Sequence, residues 1–104
     1  MSTTRDVIIQ SERFDQAAAF YRDVLGFQPT VENERLVGFE TGSFQLFVEP
    51  GSRPGAVFDI EFDDLAAAKR LLLAHGCTIV DEDPSYPRCH VRDPHGLLFN
   101  IAER

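Results

Sequence analysis

His90 is the side chain in this sequence best suited to move a proton or grip a polar ligand. It lies in Arg88-Cys89-His90-Val91-Arg92, where strand alternation sets it opposite Cys89 and Val91. One reading makes it a general base or ligand contact, paired with Asp6 or Glu61. The other makes it a partly exposed strand histidine with no role. Asp59 and Glu61 share a face opposite Phe58 and Ile60. His75, just before Gly76, suits the negative end of a helix dipole, and His95 fills the variable place of a turn, so both read as structural. Cys89 beside His90 resembles a thiolate–imidazole pair on paper. Adjacent strand residues point to opposite faces, so Cys89 is expected to pack in a core. Asp6, Glu61 and His90 would be a conceivable metal set, although no His-x-x-x-His or similar local spacing supports it. A phosphate-cradling glycine loop, a Ser-His-Asp order and a dinucleotide fingerprint are all missing from the sequence.

Strands and helices must place these groups. Val7-Ile8-Ile9 is a β-branched strand signal, and Asp6, Ile8 and Gln10 share one face of it. Phe14–Leu25 reads as an amphipathic helix with Ala17, Tyr21, Val24 and Leu25 on one stripe, closed by Gly26. Phe20 and Tyr21 are expected to pack it onto a sheet. Three strand candidates follow, Phe27–Glu32, Arg35–Glu40 and Phe44–Glu49. In them Phe39, Phe44 and Phe47 could line an apolar pocket for a planar ligand. Pro50–Gly55 is linker-like. Then Val57–Phe62 alternates as a half-buried strand, and Asp63 or Asp64 can cap a helix over Leu65–His75. Its stripe is Leu65, Ala68, Leu71 and Leu72, and Gly76 ends it. Cys77–Asp81, Arg88–Arg92 and Leu97–Ala102 complete the strands, with a tight turn at Asp93-Pro94-His95-Gly96.

The pattern is βαβββ, written twice, and Gly26 and Gly76 stand 50 residues apart. A unit of about 50 residues buries too little surface to be stable alone, so the pair is expected to form one α+β domain over 1–104. Its first module covers about 1–50, its linker 50–55 and its second module about 56–104. The 104 residues carry a formal charge of −7. That argues against a nucleic-acid binder, which needs a basic face. No apolar run approaches the roughly 20 residues that cross a membrane. Met1-Ser2-Thr3-Thr4-Arg5-Asp6 does not open as a secretory signal, because no apolar segment follows. Cys77 and Cys89 lack C-x-x-C spacing and read as reduced thiols of a cytoplasmic protein.

Two motifs carry a family likeness. Ala17-Ala-Ala-Phe-Tyr-Arg-Asp-Val-Leu-Gly-Phe27 resembles the first-helix signature of the vicinal oxygen chelate superfamily, which includes glyoxalase I, extradiol dioxygenases and bleomycin-resistance proteins. Asp93-Pro-His-Gly-Leu-Leu-Phe-Asn100 is similar to its closing turn and strand, and Phe58–Gly76 to the start of its second module. The resemblance implies two modules of curled mixed sheet around a cavity, with helices outside. It also implies, for metal-dependent members, a divalent ion that chelates two substrate oxygens. Counted from Phe20-Tyr21, the metal-ligand positions fall on Asp6, Gln45 (or Leu46), Val57 (or Ala56) and Asn100. Valine and alanine cannot bind a metal, and asparagine is a weak ligand for zinc, nickel or iron. No cofactor is therefore expected.

Alternation then gives a polar cavity lining of Asp6, Gln10, Gln45, Asp59, Glu61, His90 and Asn100. Such a lining suits a cationic or amine-bearing small molecule. The leading expectation is a metal-independent binding protein of the bleomycin-resistance kind, which sequesters its ligand. A metal-dependent lyase, isomerase or dioxygenase of the same superfamily, and a non-catalytic dimerisation module, are the alternatives. Short members of the family usually pair, and open sheet edges invite a partner, so a homodimer is expected.

Overall fold

The computed structural model describes residues 1–85 and 88–104. The chain forms two compact units, Arg5–Ala56 and Met1–Thr4 with Val57–Arg104. Each is built as βαβββ. The first contains β1 (Ser2–Ser11, from Arg5 onward), α1 (Phe14–Ala19), β2 (Gln28–Glu32), β3 (Val37–Glu40) and β4 (Gln45–Pro50). The second contains β5 (Val57–Phe62), α2 (Leu65–Ala74), β6 (Thr78–Asp83), β7 (Arg88–Arg92) and β8 (Leu98–Glu103).

Strands run in the order β2-β3-β4-β1 in the first unit and β5-β8-β7-β6 in the second. In each, the strand before the helix pairs in parallel with the last strand, and the remaining pairs are antiparallel. The two sheets even share a defect. A bulge interrupts β2 between Pro29 and Val31, and another interrupts β6 between Ile79 and Asp81.

Burial follows the alternation. In the first unit Val37, Phe39, Leu46 and Val48 pack with Ala18, Ile9, Ala17 and Tyr21. Tyr21 stacks on Phe27, with ring centroids 6.2 Å apart. In the second unit Cys89, Val91, Phe99 and Ile101 pack with Ile60, Phe62, Leu65 and Leu72. Asp64 caps α2 by accepting the Ala67 N–H at 3.0 Å. Gly26 and Gly76 take left-handed φ values of 74° and 90°, which stop both helices.

Several expectations need correction. The first helix does not run as one α-helix to Leu25. After Ala19 it widens into a π-helical turn over Phe20–Val24, with the Leu25 N–H donating to the Phe20 carbonyl at 3.2 Å. The extra residue per turn rotates the end of the helix off the stripe. Val24 is therefore 68% exposed, and Leu25 and Phe20 are exposed too. Leu71 of α2 is also exposed, because Leu65, Ala68 and Leu72 already cover the sheet. The first strand spans ten residues and reaches beyond its β-branched centre on both sides, with Asp6–Ser11 paired to β4. Phe39 does not line a pocket with Phe47. It is fully buried on the α1 side, while Phe47 lies on the other face against Gly38.

Candidate functional site

The second unit concentrates its polar chemistry on the sheet face away from α2. Because Ile60, Val91, Phe99 and Ile101 point to the helix, Asp59, Glu61, His90 and Asn100 point the other way. Strand register then aligns four polar residues. Asp59 pairs with Asn100, Asn100 with His90, and His90 with Asp81. One polar row crosses all four strands. Asn100 is 7% exposed and His90 only 3%.

Side-chain contacts hold each end of the row. The Asn100 carboxamide donates from Nδ2 to Asp59 Oδ1 at 3.0 Å and accepts the Cys89 N–H on Oδ1 at 2.9 Å. The Thr4 hydroxyl donates to Asp59 Oδ2 at 3.0 Å. Asp81 Oδ2 accepts from Arg88 Nη1 at 3.2 Å and stands 3.9 Å from His90 Nδ1. Such satisfaction is what burial of polar groups demands. Glu61 lies one row away, half-buried beside Ala102. Asn100 thus orients the Asp59 carboxylate, while His90 and Asp81 form an imidazole–carboxylate pair.

Asp81 and Thr4 escape a reading by sequence. Strict alternation would put Asp81 on the face of Ile79, which packs under α2. The bulge at this point reverses the phase and turns Asp81 toward His90. A bulge here leaves no residue signal, since neither glycine nor proline marks it. Thr4 belongs to the second unit although Arg5–Ser11 of its strand belong to the first.

In the first unit, Asp6 pairs with Gln45 and Gln10 with Glu49, on the face away from α1. Gln10 is already engaged, donating from Nε2 to Glu49 Oε1 at 2.9 Å. The internal correspondence of the units also corrects one position. Ile8 stands six residues before α1, and Asp59 six before α2. Ile8 pairs with Phe47 where Asp59 pairs with Asn100. The β4 residue that matches Asn100 is therefore Phe47, not Gln45 or Leu46.

This matters for the metal that the fold implies. Phe47 and Val57 offer no donor atom, and both polar ends of Asn100 are engaged within the sheet. The residues at these positions do not fit a resident divalent ion. Among the described residues, no group of three or more His, Cys, Asp or Glu side chains is placed to hold one.

The α2 side carries a groove of about 380 Å3 lined by Leu65, Lys69, Glu82, Arg88, Cys89 and Ile101, among others. Lys69 and Glu82 form an ion pair across it. Burial, reinforced by nearby Glu82, pushes the Cys89 thiol up. The shift favours the protonated thiol near neutral pH, in keeping with its place in the core.

Two βαβββ units with a parallel first-to-last strand pair define a member of the vicinal oxygen chelate superfamily. A family model for the glyoxalase-like domain matches residues 6–102, and the chain belongs to that family. A glyoxalase/bleomycin resistance protein/dioxygenase superfamily member from Vibrio splendidus 12B01 is 20% identical, with a TM-score of 0.69 over 94% of this chain and 96% of that one. The Mn(II)-bound glyoxalase from Novosphingobium aromaticivorans is 22% identical, with a TM-score of 0.66. This chain is covered over 98% of its length and spans only 38% of that protein. A chain described as NAD-dependent benzaldehyde dehydrogenase from Legionella pneumophila is 12% identical, with a TM-score of 0.72 over 94% and 96%. At these identities the likeness is one of fold. No curated protein matches the chain.

Proposed function

We propose that the protein binds a small molecule without a resident metal, and that the row Asp59–Asn100–His90–Asp81, with Glu61 beside it, is the recognition surface. The observation that carries this reading is the row itself. A sheet face that served only stability would be cheaper to build from apolar side chains. Asp59, Glu61 and Asp81 set against Arg88 leave a surplus of negative charge, which favours a cationic or amine-bearing ligand. The missing donor atoms at Phe47 and Val57 support binding rather than metal-assisted turnover. The reading takes the protein as a homodimer, by analogy with short chains of the family.

A thermal-shift series with primary amines and amine-bearing aromatic compounds tests this, run beside elemental analysis of protein purified without chelator. A true ligand at 100 times its Kd raises stability by about 2.7 kcal/mol. That gain is expected to fall in Glu61→Gln and Asp81→Asn. Stoichiometric nickel, zinc, iron or manganese in the purified protein would overturn the reading. One observation favours a second reading, the approach of Asp81 to His90 at 3.9 Å, which suits a general base. Turnover that is lost in His90→Gln while the protein stays folded would establish that alternative.

A further inference from the structure

The first unit holds a cation of its own. Gln10 stands four residues before α1, as Glu61 stands four before α2. Gln10 pairs with Glu49, whereas Glu61 pairs with Ala102. The Gln10 carboxamide works in both directions. Its Nε2 donates to Glu49 Oε1 at 2.9 Å, and its Oε1 accepts the Arg53 N–H at 3.0 Å. Arg53 then returns its side chain to the same place, with Nη2 at 3.5 Å from Glu49 Oε1. Both side chains are largely withdrawn from water, at 16% and 13% exposure. The segment is stitched down a third time, by the Gly51 N–H donating to the Ser11 carbonyl at 3.2 Å. Gly51 lies hard against the carboxamide. A Cβ there would come within 2.2 Å of Gln10 Oε1.

The parts differ in stiffness. Gln10 and Glu49 sit side by side on paired strands, so the carboxylate and the amide are fixed by the sheet. Residues 51–56 form neither helix nor strand. They contribute Arg53 from a loop tied to the sheet by the Gly51 and Arg53 N–H groups rather than by a strand ladder.

We propose that Gln10 and Glu49 form a guanidinium-binding site, and that Arg53 is its built-in occupant, an internal competitor that a cationic ligand displaces. The carboxylate supplies the charge-assisted contact, and the amide orients the strap that delivers the guanidinium. This stands apart from the second unit's polar row, which shares none of these residues.

The test uses ethylguanidinium as the probe, on the full chain. Arg53→Ala empties the site. It is expected to bind ethylguanidinium about tenfold more tightly than the wild type, read by calorimetry and as a dose-dependent rise in Tm. Adding Glu49→Gln to Arg53→Ala is expected to abolish the gain. Tetramethylammonium, which carries no N–H donor, is expected to give none. A gain of equal size in the double variant, or no gain in folded Arg53→Ala, would overturn the proposal. Should Arg53→Ala not fold, the wild type still decides by NMR. Ethylguanidinium is expected to shift the Arg53 Nε–H resonance and to speed its exchange with solvent. An Arg53 Nε–H that exchanges freely without any probe, or one that no concentration of probe moves, would refute it.

Discussion

Matched strand by strand, the two units agree on one sheet face and disagree on the other. Toward the helices both are apolar, Ile9 and Val48 in one answering to Ile60 and Ile101 in the other. Away from the helices the corresponding rows have opposite character. The first unit reads Ile8–Phe47–Gly38–Val31, and the second Asp59–Asn100–His90–Asp81. The Phe47 ring lies over Gly38, so a side chain at Gly38 would meet it at 2.9 Å. In the second unit the same space is taken by hydrogen bonds. The helix-facing core is what each unit needs in order to fold, and it tolerates little change. The opposite face is where the halves of a repeat can diverge, and there one half carries an apolar row and the other a polar one.

The largest effect should come from the shared feature. Phe39→Ala empties a fully buried site in the first core and is expected to cost about 3–5 kcal/mol; Leu72→Ala, at the second core, about 2–5 kcal/mol. Urea denaturation of both variants checks this. A markedly smaller loss in one would break the equivalence of the cores.

Next comes the feature that differs. Asn100→Ala strands the Cys89 N–H and the Asp59 carboxylate, at about 1–3 kcal/mol. The joint change Asp59→Ile and Asn100→Ala removes the carboxylate as well and is expected to recover part of that loss. If the double variant is no more stable than the single, the row is not a linked network.

Gly26→Ala and Gly76→Ala are expected to cost about 1–2 kcal/mol each, since both residues are left-handed. Thermal unfolding of the pair should show similar losses, because the helix stops are a trait the units share.

The smallest effect is a dependence on pH. The Leu97 N–H, followed by the His95 N–H, holds the Asp93 carboxyl below its ordinary range. Its contribution is present above the unfolded aspartate's pKa, near 3.9, and is lost as the pH falls through the lower folded value. The matching turn of the first unit has Thr41 in this place, which does not titrate. Asp93→Asn is therefore expected to flatten the stability profile below about pH 4. Thr41→Ala should leave the profile's shape unchanged, as a denaturation series from pH 2 to 6 would show.

Much of this could be read in the residues. Alternation in Val57–Phe62 and Arg88–Arg92 predicts which side chains face the helix, because each strand has one apolar face to bury. Asp64, Gly76 and the Asp93 turn carry local chemistry that needs no distant partner. Most of what escaped depends on hydrogen bonding between distant segments. The bulge that turns Asp81 toward His90 is a mismatch between two strands, and neither strand reveals it alone. The wide turn after Ala19 exposes Val24 and Leu25 against their periodicity. Counting from Phe20-Tyr21 put the fourth-strand position on Gln45 or Leu46, yet the pairing of β1 with β4 gives the place that matches Asn100 to Phe47.

By itself, then, the chain determined two βαβββ units, their apolar faces and a candidate polar lining. Each of those comes from local pattern and from the need to bury nonpolar surface. Only the tertiary structure decided that four polar residues share a row, that both polar ends of Asn100 are engaged within it, and that Arg53 occupies the place beside Glu49. Those outcomes rest on register, bulges and segment placement, which depend on the partner strand rather than on any residue taken alone.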